Sequence, residues 1–203
     1  MNHLAHLALA GADAEIVTGS FLGDFVKGVL RGQRPAAIEL GIRLHRAIDA
    51  ETARDEGMRR SALRFGPALR RLAPIFIDVL ADHLLAQRFM QFHACELRAF
   101  TRSAYTKLSL HAAWLTEDAT WLRTRLQQHD GLAANIDIEA VHRGMARIAQ
   151  RLGREDVITA SRLMLDAQYA DLSEDFLDYY PRLMAFAERW LEQAQKTSSG
   201  PTT

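Results

Sequence analysis

The sequence holds one cysteine, Cys95, in 203 residues. A single thiol closes no internal disulfide, and a reducing cytosol is the compartment this favours. Prolines number only five, and no stretch alternates apolar and polar residues long enough to suggest a sheet. Neither sign of charge is in excess, with 25 Lys and Arg against 25 Asp and Glu. A formal net charge of zero argues against a general nucleic-acid coat. No run of about 18 apolar residues is present to span a membrane. The apolar start, Met1 to Gly11, is short and lacks the basic opening of a signal peptide.

What remains is rich in Ala, Leu, Arg and Glu, which all favour helix. The reading is all-α: a single-domain helical bundle over residues 1–195, with eight to ten helices and a flexible tail at 196–203. The first helix is expected over Asn2 to Ala10, ended by Gly11. The second is expected from Asp13, a good N-cap, to Leu30. The third runs from Pro35 to about Arg54, with Gly41 left open for packing or access. Trp114, Leu115, Trp121, Leu122 and Leu126 form a stripe taken as core. Later helices are expected over 138–152, 155–169 and 173–195. Ser173 is the N-cap of the last, which Tyr179-Tyr180-Pro181 should kink or interrupt.

The most informative stretch runs from Ala73 to Phe89. It is apolar almost all round, as buried helices are. Asp78 and Asp82 nevertheless fall one turn apart on one face, with His83 beside them. A buried carboxylate neutralises, pairs or binds a metal. Three other segments also put acids or imidazoles beside core positions: His6, Asp24, and the i, i+4 pair His45 and Asp49. Such groups from separate helices are how helical bundles build metal sites. Carboxylate-rich ligation favours manganese or magnesium, while the imidazoles also allow iron or zinc. The alternative reading is a metal-free helical binding protein whose buried acids pair with Arg43, Arg46 or Arg88. A second bias lies between Gly57 and Ile77, where Arg59, Arg60, Arg64, Arg70 and Arg71 occur with no acid. That is either a solvated face or a landing patch for an acidic partner.

Five motifs then carry a resemblance. Met1-Asn2-His3-Leu4-Ala5-His6-Leu7, Phe21-Leu22-Gly23-Asp24-Phe25-Val26-Lys27-Gly28, Gly41-Ile42-Arg43-Leu44-His45-Arg46-Ala47-Ile48-Asp49, Ala73-Pro74-Ile75-Phe76-Ile77-Asp78-Val79-Leu80-Ala81-Asp82-His83 and Tyr180-Pro181-Arg182-Leu183-Met184 stand in the order found in acyl carrier protein phosphodiesterases. The chain resembles that family to about residue 190. The family is a non-standard group of HD-phosphohydrolase-like enzymes, all helical. The resemblance implies manganese- or magnesium-dependent removal of 4′-phosphopantetheine from holo acyl carrier protein, an acidic helical partner. It makes His6, Asp24, His45, Asp78, Asp82 and His83 the expected metal ligands. Asp49 is then the carboxylate that orients water. Arg46 and Lys27 would steady the phosphoryl charge, and Arg59, Arg60, Arg64 and Arg71 would meet the carrier. The helix that matches the HD pattern carries the reverse order, Asp82-His83. A nucleotide phosphohydrolase on the same scaffold is the rival enzyme reading.

Overall fold

The computed structural model describes residues 2–198. Within them the chain forms eleven α-helices and no strand. They are α1 (His3–Leu9), α2 (Ala14–Leu22), α3 (Ala36–Arg54), α4 (Glu56–Arg64), α5 (Gly66–Leu69), α6 (Ala73–Gln87), α7 (Phe89–Phe92), α8 (Leu97–Leu110), α9 (Glu117–Gln128), α10 (Ile138–Arg151) and α11 (Ile158–Ser198). None of the described helices is long and apolar enough to cross a membrane. Of the expected tail, 196–198 continue α11, and 199–203 lie outside the described residues.

The most intimate packing is between α2 and α3. Gly19 and Gly41 face one another across it. A Cβ on Gly41 would sit 2.1 Å from the Ile16 carbonyl oxygen, and one on Gly19 would sit 2.0 Å from that of Ile38. The helix interior therefore accepts two glycines, each costing about 1 kcal/mol relative to alanine, because only hydrogen fits between the backbones. Ile38, Ile42, Leu44 and Ile48 of α3 then close over Ile16, Val17, Phe21 and Leu22 in one core. Helix α6 runs through that core, with Ala73, Phe76, Leu80, Leu84 and Leu85 all buried.

The second helix stops at Leu22, short of the expected Leu30. Gly28 and Gly32 adopt positive φ (78° and 72°), which glycine tolerates and a helix does not. The Arg46 guanidinium also takes the Val26 and Gly28 carbonyls at 2.8 and 2.9 Å. Residues 23–35 are thus a pinned loop, and Val29 stands 81% exposed. The tryptophan stripe is a second departure. A short 3-10 turn at Ala112–Trp114 splits it, and Trp121 is 61% exposed with Arg125 stacked on its ring. Helical spacing reports a stripe, but it does not report which side of a peripheral helix meets the core. A third departure is α11, which is continuous through Ser173 and Pro181. Tyr179, Tyr180 and Phe176 are buried on this helix, and their packing outweighs one lost backbone bond.

A salt-linked latch holds α11 to α4. Asp175 accepts from Arg60 Nη2 (3.1 Å), Arg64 Nε (3.1 Å) and the Ser61 hydroxyl (2.8 Å). Burial works against its charge, but these donors hold its carboxyl below the usual carboxylate range. Arg64 also reaches Asp171.

The glycine contact can be tested directly. Gly41→Ala should lower stability to urea by about 3 kcal/mol, the upper end for overpacked cores. Ala47→Gly, on the same helix, should cost no more than about 1 kcal/mol. Equal, small losses would show that α2 and α3 do not need this close approach.

Candidate metal centre

Two helices and one turn bring the charged cluster together. Helix α1 contributes His3 and His6, α3 contributes His45 and Asp49, and Asp24 follows the end of α2. His6 Nε2 lies 3.1 Å from Asp49 Oδ1, and His45 Nε2 lies 3.3 Å from Asp49 Oδ2. Asp24 Oδ1 is 3.6 Å from His45 Nε2, and its Oδ2 is 3.4 Å from His3 Nδ1. The rings of His6 and His45 stack with centroids 3.7 Å apart. One ligand atom each from His6, His45 and Asp49 lies within 4.8 Å of the others. The imidazoles are buried, while the two carboxylates are about half exposed.

Ser20 is the node of this arrangement, and no sequence signal singled it out. Its carbonyl accepts from His45 Nδ1 at 2.8 Å, and its hydroxyl donates to the His6 carbonyl at 3.0 Å. A carbonyl can only accept, so Nδ1 of His45 carries a proton and Nε2 faces the carboxylates. That is the supporting bond by which a backbone oxygen fixes a metal-binding histidine. Gly23 makes room for the ring, since a Cβ there would lie 2.1 Å from His45 Cγ.

The protonation pattern follows from the geometry. Burial opposes charge on His45, yet Asp24 and Asp49 outweigh it and raise its pKa to about 9. Burial pushes His6 down to about 3, so that ring is neutral against its charged neighbour. Burial disfavours the charged form of Asp24, but His45 and His3 bring its pKa down to about 2. Asp49 is likewise depressed by His45 and His6 against its own burial. Two carboxylates therefore hold one cation between them, here an imidazolium. The donor set of two imidazoles and a carboxylate suits a divalent ion as well. Nδ1 of His6 is buried without a hydrogen-bond partner among the described residues.

The other expected ligands stand apart from this trio. Asp82 is buried, and its oxygens accept from Leu4 N at 2.8 Å and Ala5 N at 3.1 Å. These are among the unpaired amides at the start of a helix, and Asn2 gives no side-chain cap there. Asp82 is thus the cap of α1, reached from α6. Burial pushes its carboxyl up to about 7 against the pull of both amides. His83 meets the Asn135 carbonyl through Nδ1 (2.7 Å) and the Tyr169 hydroxyl through Nε2 (2.9 Å), so both nitrogens are engaged elsewhere. Asp78 faces Asp24 across the clefts described next. Arg46 holds the 23–35 loop, and Arg60 and Arg64 pair with Asp175, so these three already have partners within the molecule. His3, omitted from the expected set, lies one helical turn before His6 on the same face.

Two clefts meet at Asp24 and Asp78. One, of about 360 Å³, runs past Asp49, Thr52, Ala53, Met58, Arg59, Ala62, Pro74 and Ile77 and is mostly apolar. The other, of about 670 Å³, is more polar and includes His3, Phe25, Trp121 and Arg151.

If Asp82 is the cap of α1, Asp82→Ala should lower stability by about 3 kcal/mol, because two buried amides lose their acceptor. Thermal or urea unfolding reads this. A loss under about 0.5 kcal/mol would remove Asp82 from that role.

A family model described as acyl carrier protein phosphodiesterase matches residues 1–183. Proteins named acyl carrier protein phosphodiesterase from Salmonella dublin and Salmonella heidelberg are each 33% identical to the chain over 190 residues. The match covers 93% of this chain and 98% of each relative. No solved structure gives a significant match.

Proposed function

This chain belongs to the acyl carrier protein phosphodiesterase family, and on that premise we propose that it hydrolyses the 4′-phosphopantetheine group from holo acyl carrier protein at the His6, His45, Asp49 and Asp24 cluster. The observation that carries the reading is the convergence of two buried imidazoles and two ionised carboxylates where both clefts meet. His6, His45 and Asp49 would hold a divalent ion; manganese or magnesium is what the family resemblance implies, and a set of two imidazoles and one carboxylate also accepts iron or zinc. Such an ion polarises a phosphoryl oxygen and lowers the pKa of water bound to it.

The chain's own residues do the rest. Ser20 fixes His45 so that Nε2 stays turned toward the site. Asp24 is ionised and half exposed, so it can accept a hydrogen bond from water and orient it toward phosphorus. Water adds to phosphorus through its oxygen, the bond from phosphorus to the carrier's serine oxygen breaks, and the proton that water gives up ends on that serine oxygen. A phosphodiester carries two substituents, and two clefts leave the cluster. Both have the size of a small-ligand cleft, about 300–1,000 Å³, and the Met58, Ala62 and Ile77 wall of the narrower suits the gem-dimethyl and methylene parts of the pantetheine arm. Arg59 stands at its side and is the one arginine of the 59–71 run that lines it. The carrier then lies toward the wider cleft. The free thiol of exposed Cys95 suits a cytosolic setting.

Intact-protein mass spectrometry of holo carrier tests this. The purified chain with added manganese should convert holo carrier to apo carrier, and a chelator should stop it. Asp49→Ala and His45→Ala should lower kcat at least about 1,000-fold with helix content retained, a drop of roughly 4 kcal/mol in transition-state stabilisation. Near-normal rates in both variants would remove the cluster from the chemistry.

A further inference from the structure

We infer that the loop over residues 24–35 is the docking surface for the acidic carrier, an inference that rests on the carrier activity proposed above. The 59–71 arginine run is the obvious candidate in the sequence, but Arg60 and Arg64 face Asp175 and Asp171 within the molecule. The loop is different. From Phe25 to Ile38 it carries Lys27, Arg31 and Arg34 and no acid. Among the described residues none of these three forms an ion pair. Lys27 and Arg31 are exposed, and between them in sequence Val29 is 81% exposed, an apolar side chain with a cation two residues to either side. Apolar contact surrounded by uncompensated charge fits a partner surface of acidic side chains around an apolar centre.

The loop is also held in place. Arg46 clamps it through the Val26 and Gly28 carbonyls, and the Gln33 amide donates to Glu39 Oε1 at 3.0 Å. Gly28 and Gly32, both at positive φ, set its two bends. A pinned loop loses little freedom on binding, which favours affinity.

Its position relative to the site is set by α3. The loop lies along the first part of that helix, at Glu39 and Arg46. His45 lies within that span, Asp49 one turn beyond His45, and the apolar cleft continues from Asp49 to Thr52 and Ala53. Glu39 and Ala53 are roughly 21 Å apart along the axis at 1.5 Å per residue. A carrier on the loop and an arm in the apolar cleft therefore place the phosphodiester between them, over the cluster. The loop itself begins at Asp24 and Phe25, both on the wall of the wider cleft.

The test is equilibrium binding of fluorescently labelled apo carrier, which has no arm to cleave, read alongside holo-carrier turnover. Arg31→Glu with Arg34→Glu should weaken apo-carrier binding about tenfold or more at low salt. The gap should shrink as salt rises, since exposed charges are screened over about 8 Å at physiological ionic strength. Arg31→Lys with Arg34→Lys should bind as the wild type does, and Val29→Ser should weaken binding with an unchanged salt slope. Arg102→Glu with Arg189→Glu, exposed and on α8 and α11, is the control of equal net charge. Equal weakening in that control, or wild-type affinity in the loop reversal, overturns the inference. Loop-dependent binding without holo-carrier cleavage by the wild type keeps the docking surface and overturns the proposed activity. Circular dichroism confirms that each variant is folded.

Discussion

The approach of α2 to α3 at Gly19 and Gly41 is the constraint on which the site depends. Any side chain at either position would collide with backbone of the facing helix. Because the backbones touch, the Ser20 carbonyl reaches His45 Nδ1 directly. The same serine's hydroxyl reaches back to α1 at the His6 carbonyl. One residue on the glycine-packed helix thus orients the His45 imidazole and ties down the backbone that carries His6. A ladder of backbone and hydroxyl bonds does this without putting any further charge in the core.

The second support comes from the far side of α1. That helix is only seven residues long, and helices of that length are marginal unless tertiary contacts hold them. Asp82 supplies the contact, a buried carboxylate on the start of the helix. Anionic groups are favoured there by the helix dipole. The acids in this protein are therefore satisfied in two distinct ways. Asp82 is buried, satisfied by amides and turned inward. Asp24 and Asp49 are about half exposed, held by imidazoles and turned to the clefts, where a ligand can reach them.

Charge elsewhere in the molecule follows the same division. The arginine run after Gly57 is partly consumed in fixing α4 to α11 through Asp175. Arg46 is an internal clamp on a loop. A cation in sequence is available to a partner only when no carboxylate or carbonyl of the same fold has claimed it, and that is a three-dimensional fact. The 24–35 loop keeps its cations because the nearest acid that follows, Glu39, is turned to the Gln33 amide and to Arg43 on its own helix.

The all-α class was legible in the sequence, because helix-favouring composition and the lack of alternating stretches need no tertiary information. So were α1, α3 and α6 within a residue or two of their ends, since proline, glycine and apolar spacing act locally. The motif order sufficed to place the chain beside its family, and His6, His45 and Asp49 were visible as imidazole and carboxylate groups bordering core stripes. What periodicity could not rank was which of several buried polar groups would meet. Asp82 and His83 carry the same signal as Asp49 and His45, yet one caps a helix and the other binds Asn135 and Tyr169. Nor could it foresee that Leu22 would end α2, or that α11 would run on through Pro181. The sequence alone determined the all-α class, the ends of α1, α3 and α6 to within a residue or two, the family resemblance and the chemical types available to the site, because those depend on neighbours in the chain. The tertiary structure alone decided which acids face solvent, which arginines stay open and which serine holds the histidines, because hydrogen-bond partners distant in sequence compete for the same groups and only packing settles the outcome.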